Sequence, residues 1–403
     1  MIQSNEMISQ FLTIDILFVK ILSMFMKKVG IICEYNPFHN GHIYHLEKIK
    51  EMYPDSMIIL VMSTSFTMRG ELSILNKWDK TEIALNYGVD LVIELPSFYS
   101  TNSADIFAIG SIKLLTYLDC DYLVFGSESN DVDELIKLAN IQLNNKEYDL
   151  LVKEYLDKGN NYPTSMSKAL KDIGGKEINL PNDLLGLSYI KEIIKEKSKI
   201  VPITILRTNN YHTEGATSIR LAMKNNQDIK KLVPKETLDK IINTDINSNY
   251  FKLLKYKILS DMDNLSNYLD VDEGLDNLIR KHIIKANTLD ELINKIKTKR
   301  YTYNRLNRMF IHILLNIKKD DVKKLKEINY IRVLGFSKVG KSFIKKQREK
   351  ISIPIITNYS DINNTNLDFE LYVTSIYNEI IEQDNLNIIE LKSIPKEKEI
   401  KTT

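Results

Sequence analysis

Two histidines bracket an Asn-Gly pair in His39-Asn40-Gly41-His42, which closes the run Glu34-Tyr35-Asn36-Pro37-Phe38-His39-Asn40-Gly41-His42. Adenylyl transfer suits such a set. Charge builds on the α-phosphate and on the leaving pyrophosphate, so donors are needed there, with a glycine where the nucleotide lies against the backbone. A helix N-terminus adds free amides and a dipole that favour anions. Pro37 is expected to end a strand and Asn40 to cap the helix. Histidine fits the role because its charge is adjustable near neutral pH. Two other readings stay open. His39, His42 and His45 fall three apart and share a helix face, as metal ligands would, but no carboxylate at i+4 completes a usual set, and no metal site is assigned. The histidines could also simply cap a helix.

A second element is Gly215-Ala216-Thr217-Ser218-Ile219-Arg220. Amides, hydroxyls and a guanidinium at a helix start bind triphosphate oxygens. Arg207 is a third phosphate candidate, and Gly126, ahead of Ser127-Glu128, leaves room for adenine or ribose, or makes a tight turn. Gly335-Phe336-Ser337-Lys338-Val339-Gly340-Lys341-Ser342 fits the P-loop pattern. The residues after it lack the βα alternation a P-loop domain needs, so Lys338 and Lys341 are read as phosphate contacts to RNA.

These residues need a scaffold. Nearly continuous apolar runs at Lys28–Glu34, Met57–Met62, Leu91–Glu94, Tyr122–Phe125 and Ile203–Leu206 predict strands covered on both faces. Helical patterns lie between them, at His42–Met52, Lys77–Tyr87 and Ser103–Leu118. The alternation predicts a doubly wound, Rossmann-like α/β domain with a parallel sheet over residues 26–225. Polar residues cluster just after the strands, where ligands bind in open α/β sheets. After about Met223 the pattern changes to long Lys/Asn-rich helices. Residues 226–403 are therefore expected to form a mainly helical region with a small mixed tail, strand-like at Tyr330–Leu334 and Leu371–Ser375.

Bulk properties agree with a two-domain globular chain: 403 residues, 43% hydrophobic and 27% charged. Two cysteines without a Cys-x-x-Cys pair argue against a disulfide framework or a zinc knuckle and fit a reducing, cytoplasmic location. Residues 1–25 read as an extension or a mis-called start ahead of Met26, too short and interrupted to span a membrane. The net charge of +2 hides an asymmetry. Between Lys295 and Lys350 there are 18 Lys/Arg against 4 Asp/Glu, which suggests a polyanionic partner or a solvated helix face. Within it Lys299, Arg300, Tyr301, Tyr303, Arg305 and Arg308 interleave cations with aromatics, a mixture that holds phosphates and stacks on unpaired bases.

The run Gly30–His42 resembles the tRNA(Met) cytidine acetate ligase family. Supporting matches are Met68-Arg69-Gly70-Glu71, Asn102-Ser103-Ala104-Asp105, Phe125-Gly126-Ser127-Glu128, Leu180-Pro181-Asn182 and Ala216-Thr217-Ser218-Ile219-Arg220. The resemblance runs from about Lys27 to beyond Lys341. It implies a nucleotidyltransferase-like enzyme that activates acetate with ATP and passes the acetyl group to N4 of the wobble cytidine of elongator tRNA(Met). ATP would contact Ile32, Glu34, Asn36, Pro37, Phe38, His39, Asn40, Gly41, His42, His45, Gly126, Asn182, Arg207, Thr208 and Ser218. His39, His42 and Arg220 would act in catalysis, and Mg²⁺ would accompany the triphosphate. The loop after the second strand departs from the family, with Thr64-Ser65-Phe66 in place of Gly-Asn-Phe. No protein partner is indicated. The rival readings are a small-molecule adenylyltransferase, which would not need the basic segment, and a non-enzymatic RNA-binding protein.

Overall fold

The computed structural model describes residues 26–207, 215–359, 364–383, 386–392 and 395–398. The expected extension at residues 1–25 and Thr208 lie outside these. Strands β1 (Lys28–Cys33), β2 (Met57–Met62), β3 (Leu91–Glu94), β4 (Tyr122–Ser127) and β5 (Val201–Leu206) form a parallel sheet in the order β5-β4-β1-β2-β3. Every residue of β2 and β3 is buried, which is why these runs are apolar without alternation. β5 starts two residues earlier than expected. Pro202 is tolerated there because β5 is an edge strand that pairs only with β4.

Helices α1 (Asn40–Met52), α2 (Lys77–Asn86), α3 (Ala104–Tyr117), α4 (Pro181–Lys195) and α5 (Ala216–Lys224) belong to this half. β1 pairs with β2 on one side and β4 on the other, so the chain reverses direction across the sheet beside β1. The turn from β1 into α1 therefore opens at a topological switch point.

The tail is mixed, and the strand-like run Tyr330–Leu334 falls at its first strand. β6 (Ile331–Phe336) pairs antiparallel with β3, and β7 (Ile355–Ile356) and β8 (Lys396–Glu397) pair with β6, so these strands complete the first half's sheet instead of standing apart. All of β6 is buried, and its backbone pairs with β3 on one side and with β7 and β8 on the other. Leu371–Ser375, expected as strand-like, lies within helix α11 (Thr365–Ile381). Asn364 caps it, accepting from the amides of Asn366 and Leu367 at 2.9 and 3.3 Å. Leu367, Val373, Tyr377 and Ile380 are buried at helical spacing.

Between the two groups of strands, α6 (Ile246–Ser260), α7 (Leu275–Ile283), α8 (Leu289–Ile296) and α9 (Tyr303–Leu314) make the helical region, shorter helices than the composition suggests. Leu306, Met309, Phe310 and Ile313 of α9 recur every three or four residues and are fully buried, in one apolar core continuous with that of the sheet.

The P-loop-like segment runs straight from β6 into α10 (Lys338–Gln347), with no anion-binding loop between. Ser337 caps α10, accepting from the Gly340 amide at 3.2 Å and donating to the Asp90 carboxylate at 2.7 Å. The glycines serve packing: a Cβ on Gly340 would stand 2.0 Å from the Asp90 carbonyl oxygen. Because β6 is antiparallel, with Phe336 opposite Leu91 at the start of β3, Lys338 and Lys341 follow at the end of the sheet opposite the histidine turn.

Candidate active site

The turn after β1 is held from several directions. Tyr35 takes the left-handed conformation (φ 47°), and its ring meets those of Phe38 and His42 edge-on at 4.8 and 4.7 Å. Asn36 is buried, donating to the Leu72 carbonyl at 3.0 Å and accepting from the Ile74 amide at 2.9 Å. Its side chain thus braces the turn, while the residue also lines the cleft that the histidines face. Lys80 of α2 is fully buried and donates to the carbonyls of Glu34, Ser63 and Thr64 at 3.1, 2.7 and 2.6 Å. It ties the ends of β1 and β2 together, and burial brings its pKa down to about 7.

His39, not Asn40, caps α1. Its Nδ1 accepts the Gly41 amide at 3.0 Å, doing what an Asn or Ser oxygen does elsewhere. His42 returns the bond: its Nδ1 accepts the His39 amide at 3.2 Å. In a neutral imidazole the accepting nitrogen carries no proton, so both rings place their proton on Nε2. Burial first, then Arg207 and Arg220, brings His39 down to about 4. Burial, then His39, His45 and Arg207, holds His42 well below the usual range. Both are thus neutral Nε2–H donors at physiological pH. Asn40 turns away, bonding the carbonyls of Lys231 and Leu232 at 2.8 and 3.1 Å.

The histidines face a cleft of about 410 Å³, lined also by Ile32, Glu34, Gly41, His45, Gly126, Asn182, Arg207 and Arg220. That volume suits a small ligand. Gly126 lies against Arg207, whose Cγ would be 3.1 Å from a Cβ there. Arg207 donates to Asn182 Oδ1 at 2.9 Å. Behind them Glu128 accepts the Asn182 and Asp183 amides at 3.1 and 3.0 Å, while Asp183 accepts the Glu128 and Ser129 amides, both at 3.1 Å. This reciprocal clamp welds the end of β4 to the start of α4.

Across the cleft Arg220 donates to the Asn36 carbonyl at 2.6 Å and pairs with Glu71, and Arg69 donates to Thr217 Oγ1 at 3.0 Å. Thr217 and Arg220, three apart on α5, share the cleft face, and Ser218 is rotated off it. Pro37, Phe38, Asn40 and Ser218 are not among the residues lining the cleft; Phe38 is core beneath His42, with ring centroids 5.5 Å apart. Thr64 and Ser65 are likewise buried away from it. The clamp, Lys80, Arg69 and Glu71 were not picked out from sequence as site residues. The one signal for Lys80 is its place among buried helix positions, with Trp78 and Ile83.

The basic-aromatic run is partly spent inside the protein. Tyr301 is buried and donates to Glu273 at 2.6 Å, so its ring is not an open stacking platform; half-buried Tyr303 donates to Asp290. Arg300 pairs with Glu273 at 2.8 Å and Arg305 with Asp272 at 3.7 Å. Arg308 is half-buried and donates to the Met68 carbonyl. Tyr301 and Arg308 are thus drawn inward, while Arg300 keeps half of its side chain exposed. Lys299 is exposed.

A mostly parallel sheet, a histidine-capped helix at its switch point and opposed arginines across a cleft define a nucleotidyl transferase. The family model for HIGH Nucleotidyl Transferase matches residues 26–391. The tRNA(Met) cytidine acetate ligase of Fusobacterium nucleatum is 40% identical over 83% of this chain and 89% of its own length, and that of Caldicellulosiruptor saccharolyticus 38% over 87% and 94%. The crystal structure of Thermotoga maritima TmcAL bound with alpha-thio ATP superposes with a TM-score of 0.84 at 29% identity, covering 93% of this chain and all of that one. The chain belongs to the tRNA(Met) cytidine acetate ligase family.

Proposed function

We propose that this chain is an ATP-dependent, AMP-forming ligase that activates acetate as acetyl-adenylate and acetylates N4 of the wobble cytidine of elongator tRNA(Met), releasing AMP and diphosphate. The observation that carries the reading is the pair of neutral Nε2–H donors, His39 and His42, in a cleft shared with Arg207 and Arg220. Fixed donors aimed at phosphate oxygens stabilise the charge that builds as acetate displaces pyrophosphate. They need no protonation change, since burial has already made them neutral.

Gly126, Asn182 and Arg207 hold the nucleoside end of ATP, and Thr217 and Arg220 the phosphates. Among the described residues no three His, Cys, Asp or Glu side chains are grouped to hold a metal, so Mg²⁺ would come bound to the triphosphate oxygens. The tRNA docks on the helical region, with exposed Lys299 and half-exposed Arg300 meeting its phosphates. The site of action is the cytoplasm, where elongator tRNA is used. No described helix is long and apolar enough to cross a membrane.

The test supplies labelled acetate, ATP and elongator tRNA(Met) and resolves nucleosides by mass. Labelled N4-acetylcytidine with AMP and diphosphate is expected. Label transfer only from acetyl-CoA, or none at all, would point instead to a small-molecule adenylyltransferase.

A further inference from the structure

Acetyl transfer to the cytidine amine needs a proton acceptor, because N4 becomes strongly acidic once its bond to the acetyl carbon forms. The cleft offers few. His39 and His42 have their Nδ1 atoms occupied by amides, so the nitrogens left are donors. His45 lies a turn further down α1, its Nε2 buried without a partner. The Cys33 thiol is pushed up to about 12 by burial and stays protonated. Glu34 is half-buried, and its Oε1 already accepts the Met68 amide at 2.7 Å.

Glu71 is different. It lines the same cleft and keeps 31% of its side chain exposed. It closes a tight loop in which Thr67 donates its amide to the Glu71 carbonyl at 3.0 Å, and that loop rests on α9. An RNA bound to the helical region would reach the cleft past it. A carboxylate beside a triphosphate repels it, so its presence opposes the first step and calls for a reason. Arg220 pairs with it while spanning to the Asn36 carbonyl.

We propose, resting on the ligase reading above, that Glu71 is the general base of the second step. The cytidine N4 bonds to the acetyl carbon, and the carbon–oxygen bond to AMP breaks with its electron pair leaving on the phosphate. The N4 proton passes to a Glu71 carboxylate oxygen. The competing role is purely structural, holding Arg220 in place, and it predicts equal damage to both steps.

The experiment mixes enzyme and preformed acetyl-adenylate with elongator tRNA(Met) in a single turnover and measures N4-acetylcytidine. Glu71→Gln is expected to slow this transfer ~10²-fold or more, the usual worth of a general base. Its loss in acetate-dependent pyrophosphate exchange should be at least about tenfold smaller than its loss in transfer. Glu71→Ala should be equally slow in transfer and be partly restored by added formate, which returns a carboxylate to the cavity. Transfer by Glu71→Gln at the wild-type rate overturns the proposal. So does parallel loss of exchange and transfer without rescue by formate. If wild-type enzyme makes no acetylcytidine from acetyl-adenylate, the ligase reading itself fails and takes this assignment with it.

Discussion

Arg308 donates from its guanidinium to the Met68 carbonyl at 3.2 Å, joining positions 240 apart in sequence. Met68 donates its amide to Glu34 at the end of β1, and the next residues, Arg69 and Glu71, reach Thr217 and Arg220. One short loop thus leans on the helical region, the histidine turn and the phosphate-facing helix together.

Gly70 is the point of closest approach. Its φ is +72°, and a Cβ there would stand 2.4 Å from the Arg308 nitrogen, a backbone atom that cannot yield. Gly70→Ala should lower stability by ~1–3 kcal/mol and weaken pyrophosphate exchange through Arg69 and Glu71. A thermal melt and an exchange assay read both. An unchanged melting temperature would show that α9 does not constrain the loop.

His39→Ala and His42→Ala should each reduce exchange ~10²-fold or more, the usual loss of a preorganised donor. The imidazoles also set a pH dependence of stability. His39 titrates at about 4 in the folded protein, and an unfolded histidine near 6.5. Between those values the unfolded chain binds the extra proton, so stability falls as pH drops through this window. Nitrogen NMR should find His39 neutral and protonated on Nε2 down to about pH 5. An imidazolium at pH 6 would contradict the donor assignment.

Tyr301→Phe removes the bond to Glu273 and should lower stability by ~1 kcal/mol while leaving tRNA affinity intact. Lys299→Ala should do the reverse, weakening tRNA binding and reducing its salt slope by about one counterion. If Tyr301→Phe loses affinity and Lys299→Ala does not, RNA stacks where the structure shows a buried ring.

Lys341 pairs with Glu397 at 3.1 Å, at the end of the sheet away from the cleft. Lys341→Ala should therefore leave the KM for ATP and the exchange rate unchanged. A marked rise in that KM would revive the P-loop-like segment as a nucleotide site.

The sequence by itself determined the features that depend on near neighbours. β2 and β3 appear at their expected bounds because burial on both faces leaves a continuous apolar run, visible in six and four residues. The histidine turn was legible because capping and anion binding at a helix start involve residues within a few positions of each other. Tertiary structure alone decided what depends on distant partners. Nothing local tells β6 to pair antiparallel with β3, turning a P-loop look-alike away from the cleft. Local pattern likewise cannot show that Asn36 spends its amide on Leu72 and Ile74, that Tyr301 points at Glu273, or that Arg220 meets Glu71 across 149 positions. A polar side chain shows its capacity for bonds in sequence. Which bond it makes follows from the fold, because each buried donor or acceptor must find whatever partner the packing brings within reach.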